Sequence, residues 1–275
     1  MKKLKYIFCD LDGTLLNDDK VISPEQVSYI RELKKRKGVR FGFASGRTLN
    51  SLIPLAKEME MLDVCDVIVA NNGVDVYDVA RNETEQNHLI PVTTVQKIVD
   101  MMESYKDILN VIVHSRNELY GMEKTRRIDR VLRINHYDQS QYHSIYDGGY
   151  DSVARVSLLF EEEKYPEVRA VVEATEFPDG VQSFQSDVDI YDLVRKGVSK
   201  ARGIERYVSR QGDTLEQVIA FGDSGNDRRM LEEAGVSVAM KNGIKEIRDI
   251  ADYTTSRTNN ENGIKEFLIT VEDWF

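Results

Sequence analysis

The 275-residue chain predicts an α/β fold, a doubly wound parallel sheet with an inserted α+β domain. Three observations lead there. Short apolar runs at 6–9, 39–44, 67–70 and 218–221 each end in a polar cluster and alternate with helical patterns, the rhythm of right-handed parallel βαβ units. The same rhythm occurs near both ends of the chain. Between residues 78 and 189 the stretches are longer and alternating, as at 153–160 and 181–190, and their helices begin without acid clusters.

Each element has a local cause. Ser23 is an N-cap, Pro24 a first-turn proline and Gln26 an N3 partner, and Val27, Ile30 and Leu33 follow at helical spacing, so a helix runs from Pro24 to about Lys37 and stops at Gly38. After strand 39–44, Ser45-Gly46-Arg47-Thr48 turns the chain into a helix carrying Leu52, Leu55, Ala56 and Met59. Strand 67–70 ends in Asn71-Asn72-Gly73. Strand 218–221 runs into Gly222-Asp223-Ser224-Gly225-Asn226-Asp227, then a helix through Met230, Leu231 and Ala234, a strand at 236–239 and helices at 244–250 and 261–269. Residues 1–78 and 190–275 are therefore expected to form one core, and 79–189 the inserted domain. Within the insert, the Tyr- and His-rich stretch 137–150 reads as a solvated loop, with a substrate-facing role as the alternative. Lys124, Arg126, Arg127, Arg130 and Arg133 read as a solvated helical face.

Composition narrows the class. Acidic residues outnumber basic ones 47 to 37, a net charge of −10, which disfavours a polyanion such as nucleic acid as partner. No apolar run approaches the roughly 18 residues of a membrane span. The basic start is followed by too short an apolar run for a secretory signal, and Cys9 and Cys65 are too few for a disulfide scaffold, so a reducing cytoplasm is expected. Cys9 reads as a small buried hydrophobe.

The chemistry lies at the strand exits. Asp10-Leu11-Asp12-Gly13-Thr14 puts two carboxylates at the end of a strand buried on both faces, where open parallel sheets bind ligands. An EF-hand would need glycine and glutamate where Leu15 and Val21 stand; a plain turn remains the simple alternative at this point. Four exits share one sheet edge: Asp10/Asp12, Ser45/Gly46, Lys196/Gly197 and Asp223/Asn226/Asp227. Hard carboxylate oxygens suit Mg²⁺, with Asp10 and Asp223 as ligands. Lys196 would offset phosphoryl charge while Ser45 and nearby backbone amides donate to it, and one carboxylate would attack phosphorus while its neighbour moves protons. Gly222-Asp223-Ser224-Gly225-Asn226 fails the nucleophile-elbow pattern at Asn226, and no P-loop or dinucleotide glycine pattern follows a strand. His88, His114, His136 and His143 lack metal-ligand spacing.

These four motifs, in this order, resemble the haloacid dehalogenase (HAD) superfamily, in particular its Cof-type phosphatases. Asn72-Gly73 and Val238-Ala239-Met240-Lys241-Asn242 are similar to family positions too; Ala201 and Lys241 depart from glycines common there. The resemblance implies Asp10 as nucleophile and metal ligand, and Asp12 as general acid/base with its carbonyl on the metal. It further implies Ser45 and Gly46 at the phosphoryl group, Lys196 as its counter-charge and Asp223 as a Mg²⁺ ligand, with Asn226 and Asp227 completing the surroundings. Only residues 13–44, 32 in all, separate Asp12 from Ser45, so the insert follows the second motif, as in C2 caps, and its α+β texture resembles the C2B type.

The expected activity is a cytoplasmic, Mg²⁺-dependent phosphatase of small phosphorylated metabolites, with sugar phosphates the expected class, working through an aspartyl phosphate as a monomer or small homo-oligomer. A sugar phosphomutase and a non-catalytic phosphometabolite-binding protein are the alternatives.

Overall fold

The computed structural model describes residues 3–115, 118–135 and 137–275, so His136 lies outside the described residues. The chain divides into two compact units, residues 1–86 with 199–275, and residues 87–198. The first part of the first unit comprises β1 (Tyr6–Cys9), α1 (Pro24–Lys37), β2 (Arg40–Ala44), α2 (Leu49–Glu58), β3 (Val67–Ala70), β4 (Asp75–Asp78) and β5 (Glu83–Gln86). The second unit runs α3 (Val92–Met102), β6 (Asn110–Ser115), β7 (Glu118–Gly121), α4 (Arg126–Ile134), β8 (Tyr142–Ser144), β9 (Val156–Leu159), α5 (Tyr165–Ala174), β10 (Val181–Asp187) and β11 (Ile190–Arg195). The first unit then resumes with α6 (Lys200–Arg210), β12 (Val218–Gly222), α7 (Arg228–Glu233), β13 (Val236–Ala239), α8 (Lys245–Ile250), β14 (Tyr253–Thr254) and α9 (Gly263–Thr270).

The first unit is built on an eight-stranded sheet in the order β14-β13-β12-β1-β2-β3-β4-β5, parallel except where β4 and β5 fold back as an antiparallel hairpin. β1 is central, with Cys9 opposite Phe221 on one side and Phe43 on the other. Its alternating side chains enter different cores. Ile7 and Cys9 pack with residues of α1, α2 and α9, among them Ile30, Leu52 and Ile264. Tyr6 and Phe8 pack with residues of α6, α7 and α8, among them Ile204, Met230 and Ile247. All four β1 residues are buried, the signature of a strand covered by helices on both faces. The Ser23 side chain caps α1 by accepting from the Gln26 N–H, and Gly38 ends it in the left-handed region. Cys9 and Cys65 are buried free thiols.

The second unit is a six-stranded sheet, β10-β11-β9-β6-β7-β8, antiparallel except for β7 beside β8. Val111 and Val113 of β6 face α3 and α5, while Ile112 faces Ile128 and Leu132 of α4. Two stretches hold more structure than their sequence pattern shows. The alternating stretch 181–190 contains a reversal: β10 ends at Asp187 and β11 returns from Ile190, through a turn whose Asp189 is buried and ion-paired to Arg127. Stretch 137–150 is not only loop, because β8 pairs with β7 and Tyr150 is buried edge-on to Tyr120. The division between units also falls later than 78/79 and 189/190. The β4–β5 hairpin adds residues to the first sheet, and β11, paired with β10 and β9, keeps the chain in the second unit through Val198.

Candidate active site

Asp10 continues β1 by one residue, its N–H donating to the Phe221 carbonyl at 2.9 Å, and it is 5% exposed. The chain then turns through Gly13, whose φ of +83° lies in the region glycine tolerates best. A Cβ at Gly13 would stand 2.5 Å from Oδ2 of Asp223, so the β1 and β12 loops meet at a glycine by necessity. Thr14 Oγ1 donates to Asp223 Oδ1 at 2.8 Å, joining the same two loops.

The lysine beside Asp10 is Lys200, not Lys196. Lys196 belongs to the second unit, just past β11, where its N–H donates to the Gly180 carbonyl at 2.7 Å. Ser199 caps α6 by accepting from the Arg202 N–H, so Lys200 is the first residue of that helix and lies on its buried face with Ile204, Tyr207 and Val208. Its Nζ donates to Asp10 Oδ1 at 2.5 Å and to Asp227 Oδ1 at 2.6 Å, with Asn226 Oδ1 at 3.4 Å. Burial alone would lower the Lys200 ammonium, but Asp10 and Asp227 more than reverse that and hold it charged. The sequence carries a signal for this choice: Lys200 follows an N-cap serine and shares the apolar i, i+4, i+7, i+8 stripe of α6.

Asp227 spends both oxygens within the protein. While Oδ1 holds Lys200, Oδ2 accepts from the N–H groups of Asp223 at 2.9 Å and Ser224 at 3.1 Å. Oxygens of Asp10, Asp223 and Asp227 lie within 4.8 Å of one another, the one such metal-holding group found among the described residues. Burial raises the Asp10 carboxyl well above its ordinary range, Lys200 opposing and Asp227 and Asp223 adding to it. Burial, then Asp227, pushes Asp223 up to about 6 against the Thr14 hydrogen bond. Three clustered carboxylates facing one ammonium leave negative charge uncompensated, and hard oxygen ligands of that charge fit a divalent cation such as Mg²⁺.

The β2 loop supplies the opposite wall. Ser45 is buried, its N–H donating to Val69 and its Oγ accepting from the Arg47 N–H at 3.2 Å. Arg47 grips Asp12 with two bonds of 2.7 Å, and Lys20 adds one of 2.9 Å. Burial would raise the Asp12 carboxyl; Arg47 and Lys20 outweigh it and hold it below the usual range. The Asn71–Gly73 turn backs this loop, with the Asn72 N–H donating to Ser45 and the Asn71 N–H to Arg47. Asn226 Nδ2 reaches Asn72 Oδ1 at 3.5 Å, and Asn72 stands against Gly46, where a Cβ would be 3.2 Å from that oxygen. Of the residues expected at the site, Asp10, Asp12, Ser45, Gly46, Asp223, Asn226 and Asp227 thus belong to one connected group of loops. Lys200, Thr14, Arg47 and Lys20 join them without having been singled out for it. The three described histidines take no part in the carboxylate cluster.

A family profile described as haloacid dehalogenase-like hydrolase matches residues 7–268. A Bacillus subtilis protein named 5-amino-6-(5-phospho-D-ribitylamino)uracil phosphatase is 31% identical over 265 residues, covering 95% of both chains. An Escherichia coli protein of the same name is 26% identical over 269 residues, covering 96% of this chain and 95% of the other. The crystal structure of a haloacid dehalogenase-like hydrolase from Bacteroides thetaiotaomicron superposes with a TM-score of 0.84 at 26% identity, over 98% of this chain and all of that one. The chain belongs to the haloacid dehalogenase-like hydrolases and is an enzyme of their phosphatase kind.

Proposed function

We propose that the protein is a Mg²⁺-dependent phosphatase of small phosphorylated metabolites that works through an aspartyl phosphate on Asp10. The observation that carries this reading is the buried pairing of Asp10 with Lys200 beside Asp223, with a second carboxylate, Asp12, two residues along the same strand exit. Asp10 and Asp223 would hold the cation with the Asp12 carbonyl, and the ion supplies Lewis-acid charge stabilisation to the phosphoryl oxygens. Asp227, whose oxygens are already engaged, positions Lys200 and the Asp223 loop instead.

An Asp10 oxygen attacks phosphorus while the bond to the leaving oxygen breaks, and Asp12 gives that oxygen a proton. Asp12 then takes a proton from water, whose oxygen attacks the phosphoryl group and frees the Asp10 carboxylate and inorganic phosphate. Lys200 and the Ser45 loop stabilise the charge on the transferring group, Lys200 taking the role that the sequence pattern suggests for Lys196. The Arg47 clamp favours ionised Asp12, the form that activates water, so the first step requires Asp12 to leave Arg47 and to enter protonated, the proton it regains from water in the second step. The two relatives named for a phosphoribityl compound support a polyol or sugar phosphate as substrate class.

Purified protein with Mg²⁺ should release phosphate from an aryl phosphate and from members of a panel spanning hexose phosphates and 5-amino-6-(5-phospho-D-ribitylamino)uracil. Asp10→Asn should lower that release by at least about 10³-fold. Wild-type protein that releases nothing across the panel would defeat the reading.

A further inference from the structure

We propose that Arg206 is a positioning residue for phosphoryl transfer. It fastens α6, which carries Lys200, to the Asn71–Gly73 turn, which carries the Ser45–Arg47 loop. The inference rests on the phosphatase reading above for its activity arm.

The turn is an unusual support. Asn71, Asn72 and Gly73 have φ of +48°, +53° and +102°, three successive left-handed residues, and all are buried. Such a run persists only where its surroundings hold it. On one side it holds the β2 loop, through the backbone bonds from Asn72 to Ser45 at 3.0 Å and from Asn71 to Arg47 at 2.9 Å. On the other it meets the start of α6 so closely that a Cβ at Gly73 would lie 2.1 Å from the Ser199 carbonyl oxygen and 3.2 Å from the Gly203 nitrogen.

Arg206 closes this second contact from further along the helix. Six residues beyond Lys200, about 9 Å of helix, its Nη2 reaches back to donate to the Gly73 carbonyl at 2.6 Å and the Val74 carbonyl at 3.0 Å. Its side chain is four-fifths buried, Glu85 stands 3.9 Å from Nε, and the charge of Asp75 also acts on it. The hydrogen bonds of the group go to the carbonyls of Gly73 and of Val74, the residue after the turn, and neither carboxylate accepts one. The turn is thus pinned to α6 at two points, Gly73 on Ser199 and Arg206 on the carbonyls. One rigid frame then sets Lys200, the Ser45 loop and Asn72 relative to Asp10.

The test compares Arg206→Ala and Arg206→Lys with Arg210→Ala, a control on the same helix whose partner is Glu85 and which makes no bond to the turn. Amide hydrogen exchange of the three variants and wild type is read in segments 45–48, 71–75 and 199–204, alongside kcat and KM for an aryl phosphate with Mg²⁺. Arg206→Ala should speed exchange in all three segments and lower kcat by about tenfold or more, since small misplacements cost that much. KM should change less than about threefold. Arg206→Lys should recover part of both, and Arg210→Ala should leave the segments protected. Exchange in 45–48 and 199–204 no faster than in Arg210→Ala overturns the proposal, as does a kcat equal to that control's. If wild-type protein releases no phosphate, the phosphatase reading falls and the exchange comparison alone decides whether Arg206 couples the two elements.

Discussion

Replacing Lys200 by methionine keeps length and apolar packing while deleting the ammonium that sits 2.5 Å from Asp10 and 2.6 Å from Asp227. At an effective dielectric of about 20, each contact at this distance is worth roughly 6–7 kcal/mol of gross attraction. Much of that offsets the cost of burying a fully inaccessible ammonium and two carboxylates. What decides the outcome is the state left behind. Without Lys200, two buried carboxylates face each other unpaired, and removing one partner of such a set costs about 3–5 kcal/mol. The expected result in urea unfolding at pH 8 without metal is a loss of that size. The deficit should shrink towards pH 5, where Asp10, whose carboxyl burial already raises, recovers neutrality by protonation, and on adding Mg²⁺. Phosphate release should fall by roughly 10²–10³-fold in kcat, the scale of losing one preorganised electrostatic donor. Lys196→Met is the paired control, expected to change neither stability at this site nor kcat to that extent. If Lys196→Met silences the enzyme while Lys200→Met behaves as wild type, the assignment of the buried lysine is wrong.

The carboxyl of Asp223, held at about 6 against an ordinary 3.8, makes the metal-free fold prefer the protonated acid. Its stabilising contribution is complete below pH 3.8 and is lost as pH rises through 6. In chelator, the stability of wild type minus that of Asp223→Asn should therefore fall by at most about 3 kcal/mol between pH 4 and 7, and Mg²⁺ should abolish the fall. A flat difference in chelator would contradict the placement of Asp223 among uncompensated acids. Gly13→Ala should act on the metal site more than on the fold. Its left-handed backbone costs about 1–2 kcal/mol, while its Cβ, aimed at Asp223 Oδ2, should raise the Mg²⁺ needed for half-maximal phosphate release by roughly 10–100-fold. An unchanged Mg²⁺ titration would show that the Gly13–Asp223 contact has no bearing on metal binding.

Local physics explains which parts of this molecule can be read in its letters. β1 is legible because four apolar residues buried on both faces run directly into Asp10, and α1 because Ser23, Pro24 and Gly38 each solve a backbone problem of a helix end, while the Gln26 side chain bonds Leu15 and Lys265 instead. The polar strands hide. Glu83–Gln86 is an edge strand made of charged and polar residues, and edges are kept polar to discourage further pairing, so its pattern resembles a loop. The β10–β11 turn hides for another reason. Val188 and Asp189 offer no glycine or proline; what fixes the reversal is a long-range pairing of buried Asp189 with Arg127 of α4.

The β10–β11 hairpin also decides which lysine meets Asp10. A core that resumes at 190 leaves Lys196 beside the strand exits and makes it the natural counter-charge. Once β11 takes residues 190–195 into the second sheet, the first unit resumes only at Ser199. Ser199 caps a helix, and the cap places the next residue, Lys200, with its stem in the apolar stripe of α6 and its ammonium on Asp10 and Asp227. A charged residue on an apolar helical stripe is costly unless partners await it. Lys200 on the stripe of Ile204, Tyr207 and Val208 therefore implied buried acids, and the strand exits at Asp10 and Asp227 are where the fold supplies them.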